Sequence, residues 1–204
     1  KRRGSVDAGN TVSDYFPVEK EYGSSVFSTI MYAEFLGKKI NVIDCPGADD
    51  FVGNAITALN VTDTAVILID AQYGVEVGTQ NIFRTATSQN KPIIFAMNQL
   101  DGEKADYDNV IDQMREIFGN KIVAIQYPLA CGAGFNAMID VLLMKKYSWG
   151  PDGGVPVIED IPADQLEKAQ ELHQKLVEAA AENDETLMEK FFDQGHLTED
   201  EMRE

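Results

Sequence analysis

The sequence predicts an α/β fold in which a mostly parallel sheet is flanked by helices. Two continuous apolar runs, Ala65–Ile69 and Pro92–Met97, are typical of strands that are covered on both faces. Segments with helical periodicity lie between and after them, and this alternation of strand and helix is the pattern of a parallel sheet. The last third of the chain differs, because it predicts mainly helices with a strongly acidic outer face.

The first part of the chain predicts a loop, a strand, a turn, a second strand and a helix. These elements occupy residues 1–25, Val26–Phe35, Gly37-Lys38, Ile40–Ile43 and a segment from Asp49 or Asp50 to Leu59. The loop is predicted because Gly, Ser, Asp and Asn are frequent there and periodicity is weak. The helix is predicted because apolar residues recur on one face, and either aspartate is suited to cap it.

Two further helices and a strand are predicted around and after the second apolar run. They occupy Gln80–Thr87, a segment capped by Asp108 and closed by Gly119, and Lys121–Tyr127. The second of these helices carries apolar residues at helical spacing, and a glycine is a common residue at a helix C-terminus.

The last third predicts a helical hairpin. One helix begins at Pro162 and a second is capped by Asn183 or Asp184. We therefore expect two domains, residues 1–128 and residues 129–204. Near the end, Thr198–Glu201 has the pattern of a capping box, which opens a helix, yet only three residues follow it. We expect from this that the sequence is a piece of a longer parent protein, truncated at its C-terminus.

Composition narrows the classes of function. The 204 residues carry a net charge of −17, with 44% hydrophobic and 25% charged residues. This is globular composition, no apolar run has the length of a membrane helix, and so acidic a chain is poorly suited to bind nucleic acid directly. The two cysteines fit neither a metal site nor a disulfide framework, so a reducing cytoplasmic location is expected.

The acidic surplus lies mostly in residues 159–204, which hold 15 acidic and 4 basic side chains. Two interpretations remain open at this point. The surplus serves solubility, or it forms a docking surface for a basic partner.

Two polar motifs follow predicted strands and are the candidates for chemistry. After Ile40–Ile43 comes Asp44-Cys45-Pro46-Gly47, where an aspartate is placed to hold Mg²⁺ through water and a glycine N–H to meet a terminal phosphate. After Pro92–Met97 comes Asn98-Gln99-Leu100-Asp101, and an Asn and an Asp at this spacing are suited to read guanine. Each motif alone is weak, but their order and spacing match the metal–phosphate and base-reading loops of a GTPase domain.

A third segment, Gly4–Thr11, fits the glycine spacing of a phosphate loop, with Asn10 in place of its lysine. We reject it. No buried strand precedes it, Pro17 interrupts the stretch where a helix is required, and the cation that meets the phosphates is lacking.

The motifs together resemble the GTP-binding domain of bacterial elongation factor G, over essentially the whole chain. Before and in switch one, the matching residues are Gly4, Asp14-Tyr15 and Glu21–Val26. Further along the chain, the matching segments are Ile40–Gly47, Asn98–Asp101, Tyr147–Trp149, Glu159–Ala163 and Asp184–Lys190. The resemblance implies a P-loop GTPase-type sheet for residues 1–128, and for residues 129–204 an acidic, mainly helical inserted subdomain called G′. It also implies that the first strand and the phosphate loop lie upstream of Lys1.

Site residues follow from the same resemblance. It implies nucleotide contacts by Asp44, Pro46, Gly47, Asn98, Gln99 and Asp101, and Mg²⁺ coordination by Ser25 and Asp44. GTP or GDP with Mg²⁺ is expected in the full-length parent, with none bound to this chain alone. The implied activity is that of a GTP hydrolase acting in ribosomal translocation.

The departures from the family pattern bear on activity. Ala48 stands where the family has its catalytic histidine, so no catalytic residue is assigned. Gln99 replaces the lysine of the base-reading motif, and Ser25 replaces the switch-one threonine. We therefore expect the parent to bind GTP with reduced affinity and to hydrolyse it poorly. The alternative is a non-enzymatic, ribosome-binding pseudo-GTPase.

Two kinds of partner are expected. The resemblance implies the factor-binding site of the ribosome and a stalk protein that contacts the acidic G′ surface. If the central strand of the sheet lies outside this chain, Ile40–Ile43 and Ala65–Ile69 border an empty position. We expect the chain to rearrange there, or to fill the position from a segment not shown or from another copy by strand-swapped self-association.

Overall fold

A computed structural model describes residues 4–6, 8–150, 153–182 and 185–194. The helices are α1 (Pro17–Tyr22), α2 (Val52–Leu59), α3 (Val77–Ser88), α4 (Tyr107–Phe118), α5 (Leu166–Ala181) and α6 (Glu185–Gln194). The strands are β1 (Thr29–Phe35), β2 (Lys38–Asp44), β3 (Ala65–Asp70), β4 (Ile93–Asn98), β5 (Gln126–Pro128), β6 (Ala137–Asp140), β7 (Lys145–Gly150) and β8 (Gly153–Glu159). The predicted caps at Asn183 or Asp184 and the box at Thr198–Glu201 lie outside the described residues.

The chain divides into two compact units. The first comprises Lys1–Leu68 and Glu76–Ala96, and the second comprises Ile69–Val75 and Met97–Glu204. Among the described residues, no helix is long and apolar enough to cross a membrane.

The first unit contains the hairpin of β1 and β2, which pair antiparallel from Thr29 opposite Asp44 to Phe35 opposite Lys38. The turn is Leu36-Gly37, one residue earlier than the sequence predicts. Both turn residues have positive φ, 48° and 72°, as a two-residue hairpin turn requires.

The expected loop over residues 1–25 contains a short helix, α1, that the sequence reading missed. Pro17 was expected to interrupt a helix, but it occupies the first helical turn. There the absence of an N–H costs no hydrogen bond, and the fixed φ of proline favours the start of a helix.

The strands β3 and β4 form the parallel pair that the apolar runs predict. The Ala65 N–H donates to the Pro92 carbonyl and the Ala71 N–H to the Asn98 carbonyl, both at 2.9 Å, so the two strands advance in the same direction. A core of Leu59, Ala65 and Ala86 packs against Ile93. However, β3 alternates between buried and exposed residues, with Val66 and Leu68 61% and 65% exposed. The expectation of cover on both faces is therefore wrong for β3, and also for β4, where Ile94 is 48% exposed.

The α/β class is confirmed, but most described strand pairs are antiparallel. β1 and β2 form one sheet, β3 and β4 a second, and β5 to β8 a third in sequential order. Short connections explain this, because a two-residue turn joins only antiparallel neighbours. Within the described residues, β2 pairs only with β1 and β3 only with β4.

The second unit is built on the antiparallel sheet β5–β8 and helix α5. Tyr127 and Ile139, on neighbouring strands, form a buried core with Val141 and with Ala169 of α5. The sequence reading missed strands β6, β7 and β8. The sequence predicts a strand over Lys121–Tyr127, but the observed strand β5 comprises only Gln126–Pro128.

Helix α4 is capped by Asp106 and not by Asp108. The Asp106 carboxylate accepts a hydrogen bond from the Asn109 N–H at 3.1 Å, whereas Asp108 lies within the first turn of the helix. The predicted helical hairpin is observed in α5 and α6, where Val177 and Ala181 pack against Leu187 and Met188.

Candidate nucleotide-binding site

The loop after β2 offers an unpaired carboxylate beside open space. Asp44 is the last residue of β2, lies opposite Thr29 and is half-buried. Within the described part of the chain, no hydrogen bond or ion pair engages its side chain. Pro46 is buried, whereas Gly47 is exposed and a Cβ at Gly47 would have no atom within 4 Å. The geometry thus leaves a carboxylate and a backbone N–H available to a ligand.

Ala48 follows this loop and is exposed. Its carbonyl accepts the Phe51 N–H at 2.9 Å, which starts a short 3-10 helix, Asp49–Phe51, ahead of α2. Neither Asp49 nor Asp50 caps α2 through its side chain, so that expectation is wrong. The Asp49 carboxylate instead lies against Gly78 at the start of α3, where a Cβ would be 2.9 Å from its Oδ1.

Ser25, the predicted metal ligand, lies in the loop before β1 and is half-buried. Its hydroxyl donates to the Asp14 carboxylate at 2.7 Å, and Asp14 also accepts a longer hydrogen bond from Thr11 at 3.4 Å. The hydroxyl oxygen of Ser25 keeps its lone pairs while it donates. Asp14 is a partner of Ser25 that the sequence motif did not identify.

A buried glutamate fixes the backbone around Ser25. Glu19 is 1% exposed, and its carboxylate accepts the N–H groups of Phe16, Val26 and Phe27, each at 3.1 Å. Burial raises the pKa of the Glu19 carboxyl, but the three backbone hydrogen bonds outweigh this effect, so its pKa lies below the usual glutamate value. The Glu19 carboxylate therefore joins α1 to the two residues that follow Ser25.

The loop after β4 is held by its main chain. The Asn98 carbonyl accepts the Ala71 N–H at 2.9 Å, and the Leu100 carbonyl accepts the Gly132 N–H at 2.8 Å. Leu100 is buried, whereas Asn98, Gln99 and Asp101 are exposed. Backbone hydrogen bonds thus fix the loop while the side chains of the predicted base-reading residues face solvent.

Gln99 has a left-handed backbone, with φ 56°. Its side chain is hydrogen-bonded to Gln72, a residue that the sequence motifs did not suggest. The Gln72 Nε2 donates to the Gln99 Oε1 at 2.9 Å. No local pattern identifies Gln72, because it lies 27 residues away in the chain.

The segment Gly4–Thr11, rejected as a phosphate loop, is closed by its own hydrogen bonds. The Gly9 N–H donates to the Val6 carbonyl at 2.8 Å, and the Ser5 N–H donates to the Asn10 side chain at 2.8 Å. A phosphate loop needs free N–H groups that converge on an anion. Within the described residues, no cluster of three or more His, Cys, Asp or Glu side chains forms a metal site of protein ligands alone.

The sequence comparison decides the family. Residues 1–193 match the model of the elongation factor Tu GTP-binding domain. The chain belongs to this family of GTP-binding domains. The resemblance to elongation factor G is confirmed by relatives that carry this name and match 98% of the chain.

Two such relatives and one solved structure illustrate the match. The elongation factor G-like protein of Thermotoga maritima is 33% identical over 202 residues, which is 98% of this chain and 29% of that protein. Elongation factor G of Ureaplasma parvum serovar 3 is 36% identical over 201 residues, again 98% of this chain and 29% of that protein. A crystal structure of a protein from Thermus thermophilus has a TM-score of 0.88 at 31% identity, covering 98% of this chain and 30% of that one. The chain thus spans less than a third of the length of these relatives.

Proposed function

We propose that this chain is the part of an elongation factor G-like translational GTPase that carries both switches, the base-reading loop and the G′ subdomain. The observation that carries the proposal is the unpaired Asp44 carboxylate at the end of β2, followed by the open backbone at Gly47. In a GTP-binding domain, an aspartate followed by an open glycine N–H is suited to the metal and the terminal phosphate. On this proposal, residues 1–128 form a partial GTPase domain and residues 129–204 form G′.

The residues of the first unit fit a Mg²⁺–phosphate site. Asp44 supplies a carboxylate oxygen, Ser25 a hydroxyl oxygen, and Gly47 an N–H, which are the donor types that Mg²⁺ and a phosphate prefer. Pro46 fixes the loop between Asp44 and Gly47. When bound, Mg²⁺ would supply positive charge that stabilises the phosphate oxygens. Asp44 and Ser25 are the side chains that would hold the ion.

The loop after β4 fits the reading of guanine. The Asp101 carboxylate is an acceptor for the N1–H and the exocyclic amine of guanine, and the Asn98 amide offers both a donor and an acceptor. Gln99 lacks the long stem and the charge of the lysine that it replaces. We therefore propose guanine selectivity with reduced affinity.

Ala48 sets the expected rate of hydrolysis. A methyl group offers neither a donor nor an acceptor to orient an attacking water, and positioned acid–base groups are typically worth about 10²–10⁴-fold in rate. We expect the full-length parent to bind GTP and to hydrolyse it slowly on the ribosome. The test compares ribosome-stimulated turnover of the parent with that of Ala48→His, and equal rates would remove this part of the proposal.

Phosphate binding is assigned to a phosphate loop outside residues 1–204, so the chain alone binds no nucleotide tightly. The test is a titration of this chain with a fluorescent GTP analogue in Mg²⁺ buffer. Absence of saturable binding supports the assignment. Micromolar, guanine-specific binding would mean that Gly4–Thr11 does hold phosphates.

Two partner surfaces complete the proposal. The parent acts at the factor-binding site of the ribosome in translocation, and the acidic surface of G′ contacts a stalk protein. Helix α5 supports the second assignment, because Glu167, Glu171 and Glu178 are exposed along it and the exposed Glu182 follows its last residue. A charge-reversed α5 that leaves ribosome-stimulated turnover unchanged would contradict the stalk contact.

A second candidate function rests on Ala48 alone. If the parent binds ribosomes without turnover under any condition, the domain is a non-enzymatic ribosome-binding pseudo-GTPase. Turnover of the wild-type parent separates the two functions, whereas the affinity for ribosomes does not.

A further inference from the structure

Gln72 is held firmly beside the base-reading loop. Its neighbour Ala71, 1% exposed, donates its N–H to the Asn98 carbonyl and accepts the Asp106 N–H at 3.0 Å. The Gln72 N–H donates to the Asp70 carboxylate at 2.7 Å. The two backbone hydrogen bonds of Ala71 and the one from the Gln72 N–H therefore place residue 72 next to the loop that begins at Asn98.

The Gln72 side chain covers this loop. Its amide donates to the Gln99 Oε1 at 2.9 Å, and a Cβ at Gly102 would lie between 2.5 and 2.9 Å from the amide atoms of Gln72. The side chain thus occupies the space above Gly102 and ends on Gln99.

Gln99 has little else to hold it. It is exposed, its backbone is left-handed, and within the described residues the hydrogen bond from Gln72 is the one contact of its side chain with a polar group. An exposed glutamine loses substantial conformational freedom when it is fixed against a ligand. A partner that already orients the side chain lowers this cost.

We propose that Gln72 is a positioning residue of the base-binding site, which fixes the Gln99 side chain as a neutral platform for guanine. Gln72 and Gln99 act as one unit in place of a single lysine. This inference rests on the proposed function, because it takes the Asn98–Asp101 loop as the guanine-reading loop.

The test is a double-mutant cycle on the full-length gene product, with mant-GDP and Mg²⁺ as the probe and mant-ADP as the counter-probe. Gln72→Met and Gln99→Met keep an unbranched stem and remove the amide hydrogen bond. The matched control is Gln174→Met, because the Gln174 Nε2 makes a similar bond to Glu178 at 3.0 Å on helix α5, away from the loop in sequence.

Gln72→Met and Gln99→Met are each expected to weaken mant-GDP binding about threefold to fivefold. The double variant is expected to be no weaker than either single variant, because the two residues share one interaction. The preference for mant-GDP over mant-ADP falls in parallel, which a purely structural role would not produce. Gln174→Met is expected to leave both affinities unchanged.

The two failures are distinguishable. If the wild-type protein binds mant-GDP selectively but Gln72→Met matches it, or the two effects simply add, the role of Gln72 is refuted and the proposed function stands. If the wild-type protein shows no preference for guanine, the proposed function of the loop is refuted, and the inference with it.

Discussion

The buried carboxylate of Glu19 gives the sharpest prediction for stability. In Glu19→Gln, the amide oxygen still accepts the N–H groups of Val26 and Phe27, which both bond to Oε1. The amide nitrogen then faces the Phe16 N–H, which bonds to Oε2 in the native protein. Two donors oppose each other there, and a buried donor left without an acceptor costs about 1–3 kcal/mol. Loss of the charge weakens the two remaining hydrogen bonds as well.

We expect Glu19→Gln to destabilise the first unit by roughly 2 kcal/mol and Glu19→Ala, which leaves three donors without the carboxylate, by roughly 4 kcal/mol. Urea unfolding measures the change in the free energy of unfolding, and amide hydrogen exchange locates it. The exchange of the Val26 and Phe27 amides should accelerate most in Glu19→Ala.

The control is Glu21→Gln, which removes the charge of an exposed neighbouring glutamate without a hydrogen-bond partner among the described residues. It should change the free energy of unfolding by less than about 0.5 kcal/mol. If Glu19→Gln behaves like this control, the argument from the three hydrogen bonds is wrong.

The same residue predicts a pH dependence. Because the pKa of Glu19 is lower in the folded than in the unfolded chain, its contribution to stability is present above the ordinary glutamate pKa. It is lost as pH falls through the lowered value. The difference in stability between wild type and Glu19→Gln should therefore shrink in acid and stay constant at neutral pH.

Three further predictions concern other parts of the molecule. Ile139→Ala, at a residue with no exposed surface, should destabilise the second unit by about 2–5 kcal/mol in urea unfolding; an unchanged midpoint would contradict the assigned core. Burial and the neighbouring Asp108 raise the pKa of Tyr107 to about 12, so Tyr107→Phe should remove an ionisation step near that pH from an absorbance titration. Within the described residues, β2 pairs only with β1 and β3 only with β4, and both strands carry exposed apolar residues, which predicts strand-swapped self-association of this chain. Val66→Lys with Leu68→Lys should shift it toward monomer in light scattering, and a wild-type monomer at high concentration would contradict this.

Local patterns predicted the elements best where the apolar periodicity was strong. The runs at Ala65–Ile69 and Pro92–Met97 became β3 and β4 within one residue at each end. The strands β6 to β8 were missed because Ala137–Glu159 alternates weakly and contains Pro156 and several glycines. In addition, Ile139 of β6 packs against Tyr127 and against Ala169 of α5, and no local pattern contains such contacts between distant residues.

The candidate site shows the same division. The sequence motifs predict Asp44, Gly47, Asn98 and Asp101 as site residues, because residue type and spacing carry the proposed chemistry. The motifs assigned no role to Asp14, Glu19 or Gln72, whose hydrogen-bond partners include residues 11, 7 and 27 positions away in the chain. A buried glutamate with three backbone donors has no local signature, since its partners are main-chain groups of residues of any type.

The main-chain anchoring of the Asn98–Asp101 loop has a consequence for evolution and for engineering. Because the loop is tied by the N–H groups of Ala71 and Gly132, side chains at 98, 99 and 101 contribute little to holding its shape. On the proposed function, we expect substitutions there to change base recognition rather than unfold the loop, provided that residue 99 tolerates its left-handed backbone. A combinatorial library over these three positions and residue 72, selected for binding to other purine nucleotides, should therefore yield folded variants with new base preferences.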